Sequence, residues 1–126
     1  MKCKAKNRYM CRVHGVNFQA SPDRFMASLK TLLPEGTTLD YNMLGNNFQL
    51  DLLSVSEPGN GTGSQIMDTL TRYWDLNQIK AHLKPDPGFG TPLPVLVRFY
   101  MKHGFTVNYS YFGSSRIMES MTREPQ

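Results

Sequence analysis

The sequence predicts a mixed α/β domain in which short strands, paired mostly antiparallel, are flanked by amphipathic helices. Three observations carry this. Residues 37–55 hold two strand-like runs about Gly45-Asn46-Asn47. A glycine-rich segment then leads into helical periodicity, and residues 105–121 return to period two on either side of Gly113. A length of 126 residues suits one core of modest size, so a single domain over 1–126 is expected. With 40% hydrophobic and 19% charged residues, the composition is globular rather than disordered.

Residues 8–19 read as a first strand, with Tyr9, Cys11, Val13, Val16 and Phe18 in a broken alternation around Gly15. A helix follows, with Ser21 as N-cap, Pro22 at its first position and Asp23 in the first turn. Phe25, Leu29, Leu32 and Leu33 share one of its faces, and Pro34 with Gly36 ends it. Thr37–Leu44 and Phe48–Val55 form an antiparallel hairpin, and the unbroken Leu52-Leu53 pair predicts burial on both faces.

After the glycine-rich segment, Ile66, Met67, Leu70, Tyr73 and Trp74 recur at helical spacing. Ile79, Ala81 and Leu83 alternate as a short strand, and residues 85–94, with four of the eight prolines, predict an irregular loop. Val95, Leu96, Phe99 and Tyr100 start a short helix that stops at Lys102-His103-Gly104. Phe105, Val107, Tyr109 and Tyr111 predict a strand, Arg116–Met121 its partner, and residues 122–126 a frayed tail.

The net charge of +4 suits an anionic partner without choosing among cofactor, nucleic acid and acidic surface. Apolar runs such as Val95-Leu96-Val97 fall far short of the roughly 20 residues that span a bilayer. With no secretory signal pattern after Met1, no membrane partner and a cytoplasmic location are expected. Cys3, Cys11 and His14 match no common zinc spacing and lack a fourth ligand, so no metal is expected.

Ser56-Glu-Pro-Gly-Asn-Gly-Thr-Gly63 is the most unusual segment. Gly59, Gly61 and Gly63 leave backbone N–H groups uncovered, and where such a turn opens a helix these amides and the helix dipole attract phosphate. Ser64 offers a hydroxyl or an N-cap, and the bland alternative is a flexible connection. The segment is not a P-loop, because Ser64-Gln65 follow Gly63 where Lys and Ser/Thr are needed. It is not a Rossmann fingerprint either, because the glycines run G-x-G-x-G after a hairpin strand.

Gln49 to Leu70, QLDLLSVSEPGNGTGSQIMDTL, resembles the acetyl-CoA-binding motif of GNAT acetyltransferases, and Arg98 to Phe105, RFYMKHGF, resembles their FYxKxGF motif. Both occur in the family's order, and the resemblance covers residues 37–118. It implies a mostly antiparallel sheet splayed where the cofactor enters, with helices beside it. It also implies transfer of an acetyl group from acetyl-CoA to a primary amine on a small molecule or protein. Gly59, Asn60, Gly61, Thr62, Gly63 and Ser64 would hold the pyrophosphate, and Leu53, Ser54 and Val55 would flank the pantetheine arm. Tyr100 matches the tyrosine that protonates the departing thiolate, and Asp51 matches an acidic strand position that serves as base. Pro58 stands where the family has Arg or Gln, the turn is shortened, and Leu93 replaces a common asparagine.

The chemistry agrees with that assignment. Acetyl transfer needs a neutral amine, a polarised thioester carbonyl and a proton for the sulfur, with no covalent enzyme intermediate. His82 and His103 are further base candidates, His103 also being explained as a cation at a helix end. Two rivals stand beside the enzyme: a degenerate module acting through protein contacts, and a small basic nucleic-acid-binding protein. The late strand carries tyrosines but few interleaved Lys or Arg residues, which ranks nucleic acid last. A homodimer is left open.

Overall fold

The computed structural model describes residues 16–55 and 61–126. In chain order these form α1 (Pro22–Leu32), β1 (Thr38–Leu44), β2 (Asn47–Ser54), α2 (Thr62–Leu76), β3 (Lys80–Leu83), a 3-10 turn (Pro87–Phe89), α3 (Leu93–Lys102), β4 (Thr106–Phe112) and β5 (Ser115–Arg123). The strands make one sheet in the order β1-β2-β3-β5-β4. β2 and β3 run parallel, joined through α2, and every other neighbouring pair is antiparallel. Because β5 opposes both β3 and β4, those two run parallel with β5 inserted between them. This is the mixed, mostly antiparallel, splayed α/β arrangement that the sequence and its GNAT-like pattern predict.

The helices gather on one face of the sheet. Phe48, Leu50, Ala81, Leu83 and Met121 share that face through their register and are all buried. Trp74 of α2 lies over Phe48 with ring centroids 5.2 Å apart, and the Phe25 ring of α1 stacks on Tyr73 at 3.8 Å. α1 is also tied to β1 where the Tyr41 hydroxyl donates to the Asp23 carboxylate. α3 lies beside α2, with His103 Nδ1 3.4 Å from Asp68 Oδ1. Each large side chain buried in this way contributes roughly 1.5–3 kcal/mol, so the core residues, not helix propensity, hold the elements in place. The opposite face is polar: Thr122 Oγ1 accepts from Asn108 Nδ2 at 2.6 Å and lies 3.3 Å from His82 Nδ1.

Several expectations are corrected. Residues 8–15 of the expected first strand lie outside the described residues, and Val16 to Ala20 form a bend and turn rather than strand. Ser21 takes the N-cap position of α1 but makes no side-chain capping bond there. Leu52 and Leu53 are half-buried, because β2 has lost its neighbour on the β3 side at that point. Leu93 and Pro94 belong to α3 rather than to the proline-rich loop, since a proline is tolerated in the first helical turn.

The largest correction concerns the tail. Thr122 and Arg123 are strand residues, and Arg123 is only 4% exposed. Its guanidinium holds Asp75 of α2 with two parallel bonds of 2.7 and 3.0 Å, and its Nε donates to the His103 carbonyl at 2.8 Å. The Gln126 amide then donates to the same carboxylate at 2.9 Å. Gly104, at φ +92°, lets the chain pass this cluster, since a Cβ there would meet Arg123 Nε at 2.9 Å.

Candidate functional site

The site begins where the parallel pair ends. β2 and β3 are registered from Asn47↔Lys80 to Leu50↔Leu83, yet β2 continues to Ser54 paired only with β1. A bulge sits at the same point: Tyr41 faces Leu50 and Asp40 faces Leu52, so Asp51 is an extra residue on β2. A bulge bends its strand and sharpens the local twist. β2 therefore leans away from β3, and the β3-side edge of residues 51–54 has no strand partner among the described residues. A cleft of about 480 Å³ opens in this gap, at the C-terminal ends of the two parallel strands.

One wall of the cleft is the start of α2. Gly61 is its N-cap, at φ +77° and with open space around it, so the left-handed conformation that glycine tolerates is what turns the chain into the helix. Ser64 is therefore not the N-cap. The helix bonding begins with Gln65 N–H to the Gly61 carbonyl at 3.0 Å. Among the described residues the N–H groups of Thr62, Gly63 and Ser64 meet no hydrogen-bond acceptor, and the first turn holds no acidic side chain. These amides carry the positive end of a 15-residue helix dipole. Gly63 faces the opposite wall, and a Cβ added there would lie 3.5 Å from Phe99 Cζ.

Leu53, Ser54, Val55, Gly61, Thr62, Gly63 and Ser64 all line this cleft, together with Asp51 and Tyr100. Gly59 and Asn60 lie outside the described residues. Residues from two separated sequence motifs thus meet in one place.

Tyr100 is 7% exposed and comes from the last turn of α3, on its inner face, its ring 5.8 Å from Phe105 and 5.1 Å from Phe99. Its hydroxyl has no hydrogen-bond partner among the described residues, and burial pushes its pKa up from 10.0. The phenol is therefore protonated at neutral pH. Asp51 is exposed at the bulge, where its Oδ1 accepts from Gln49 Nε2 at 2.9 Å.

Neither histidine considered as a base is placed in the cleft lining. His82 sits on the polar face of the sheet beside Thr122. His103 lies against the Phe99 ring, and burial, ahead of the opposing pull of Asp68, pushes its pKa below 6.5. His103, expected as a cation at the helix end, is packed at that end of α3 between the Phe99 ring and Asp68.

Sequence reasoning missed the remaining walls. Leu83, Lys84, Pro85 and Asp86 close one side as the chain leaves β3, and Val95, Leu96 and Phe99 close another from α3. The apolar periodicity of α3 marked its buried face, but nothing local shows that this face turns toward a gap between strands. Among the described residues no helix is long and apolar enough to cross a membrane. Comparison with protein-family models, curated proteins and solved structures finds no match for this chain.

Proposed function

We propose that the protein is an N-acetyltransferase that moves an acetyl group from acetyl-CoA to a primary amine of a small molecule or protein. One observation carries the reading: three amides at the positive end of α2 line the same cleft as the hydroxyl of the largely buried Tyr100, and none of these groups has a hydrogen-bond partner among the described residues. Thr62, Gly63 and Ser64 would hold the diphosphate. Leu53, Ser54 and Val55 would offer strand edge to the pantetheine amides, and an amide of that edge would polarise the thioester carbonyl.

Tyr100 would then meet the departing sulfur. A phenol raised above its ordinary value of 10 is a weaker acid than a thiol near 8.5, so in water the proton would stay on the tyrosine. The same apolar walls also raise the thiol, which brings the two closer. Tyr100 therefore acts first as a hydrogen-bond donor to the developing thiolate and releases its proton as the C–S bond breaks. Asp51, directly or through water, would take the proton from the acceptor ammonium.

The test is calorimetric titration of the full chain with acetyl-CoA, followed by amine-dependent release of free thiol. Binding with turnover supports the enzyme. Binding without turnover toward any amine favours the degenerate module, and no heat at millimolar cofactor removes the acetyl-CoA reading.

A further inference from the structure

We infer that Lys84 is the cationic phosphate ligand of the cleft, supplying from just beyond β3 the charge that Pro58 withholds from the glycine turn. The inference rests on the acetyl-CoA reading and deepens it. A diphosphate brings close to two negative charges, whereas a helix N-terminus supplies about half a positive charge, so amides alone leave most of it uncompensated. The charged residues lining the described cleft are Asp51, Lys84 and Asp86. Asp51 accepts from Gln49, and Asp86 accepts from the Gly88 amide at 2.8 Å. Lys84 is exposed and has no ion pair among the described residues.

Its placement follows from the chain. Lys84 directly follows the last residue of β3, at the point where that strand parts from β2. Buried Pro85 comes next and confines residue 84 to extended backbone, so the start of the lysine side chain is anchored at the cleft mouth. Four flexible methylenes then let the ammonium follow a phosphate oxygen. The ligand chemistry is a phosphate ester of the coenzyme A type, and either the diphosphate or the ribose 3′-phosphate satisfies it.

The experiment is titration of the wild type, Lys84→Ala, Lys84→Gln and Lys84→Arg with coenzyme A, dephospho-coenzyme A and pantetheine, at low and high salt. The expected result is a five- to tenfold weaker coenzyme A affinity for Lys84→Ala and Lys84→Gln, with a shallower salt dependence. Lys84→Arg should retain most of the affinity, and pantetheine should not distinguish any of the four. Persistence of the loss with dephospho-coenzyme A assigns the contact to the diphosphate, and its disappearance assigns it to the 3′-phosphate. Wild-type binding with unchanged affinity in Lys84→Ala overturns the inference while leaving the acetyl-CoA reading intact. An equal loss toward pantetheine overturns it too, since Lys84 would then act through the cleft's shape. Absence of wild-type binding removes the acetyl-CoA reading and this inference together.

Discussion

Arg123 at the end of β5 and Asp75 in the last turn of α2 form a two-armed ion pair, Nη1–Oδ1 at 2.7 Å and Nη2–Oδ2 at 3.0 Å. Arg123 is almost wholly buried, and Asp75 is its carboxylate partner. Removing one member of such a pair leaves the other charge without compensation. Asp75→Asn and Arg123→Met should each cost about 3 kcal/mol, measured by denaturant unfolding. The single tryptophan, Trp74, is fully buried and reports that transition by its emission wavelength. The double variant should recover part of the loss; strict additivity of the two single losses would exclude the coupling.

The same pair sets an acid limit. The Arg123 hydrogen bonds foremost, opposed by burial and helped by the Gln126 amide, hold the Asp75 carboxyl below its ordinary 3.8. A folded-state pKa below the unfolded one contributes stability that is fully present above the unfolded value. That contribution is lost as pH falls through the folded value. Stability should therefore drop below about pH 4 in the wild type, with a smaller drop in Asp75→Asn.

His103 predicts a second pH dependence with the same sign in a higher window. Burial depresses its pKa below 6.5, Arg123 and Lys102 add to the depression, and Asp68 opposes it. The unfolded chain then takes up a proton before the folded one, so this contribution is complete above about pH 6.5 and is lost as pH falls through the folded value. The pH dependence between 7 and 5 should flatten in His103→Gln; an unchanged slope would place the titrating group elsewhere.

Two neighbouring glycines should respond in opposite ways. At φ +77°, Gly61→Ala should cost about 1 kcal/mol of stability despite the open space around it. Gly63→Ala puts a methyl in ordinary contact with Phe99 and improves helix propensity, so stability should hold or rise by up to about 1 kcal/mol. If the α2 amides hold phosphate, Gly63→Ala should nonetheless weaken acetyl-CoA binding severalfold. Thermal unfolding and titration of both variants read the two effects separately.

Under the proposed reaction, Tyr100→Phe should lower turnover about a hundredfold while leaving acetyl-CoA affinity within about twofold. A loss confined to affinity would make Tyr100 a wall of the cleft rather than a proton donor.

The fold was legible where local pattern and tertiary packing agree. The hairpin of β1 and β2 alternates about a glycine turn, and the α2 face predicted from spacing is the face that is buried. Where burial depends on a distant partner, the pattern misled. Arg123 resembles a solvated tail residue because its partner lies 48 positions away. Leu52-Leu53 resembles a strand buried on both sides because nothing local shows that β3 ends at Leu83. Ser64 is the stronger capping residue by propensity, but the turn into α2 needs a left-handed residue, and Gly61 provides it. Gly61 to Ser64 and Tyr100 were singled out through the resemblance to two family motifs, whereas Lys84 and Phe99 enter the cleft only through the way the chain leaves β3 and α3 crosses the gap.

The extra residue at Asp51 has a consequence for how such a domain changes over generations. Strand pairing is counted in whole residues, so deleting one codon there would remove the bulge and bring Leu52 into register with Lys84, one step past the Leu50↔Leu83 pair. β2 would then no longer lean away from β3 at this point, and the gap would narrow as Asp51 left its lining. A change of chain length at this one position would therefore reshape the cavity more than a change of side chain along its walls.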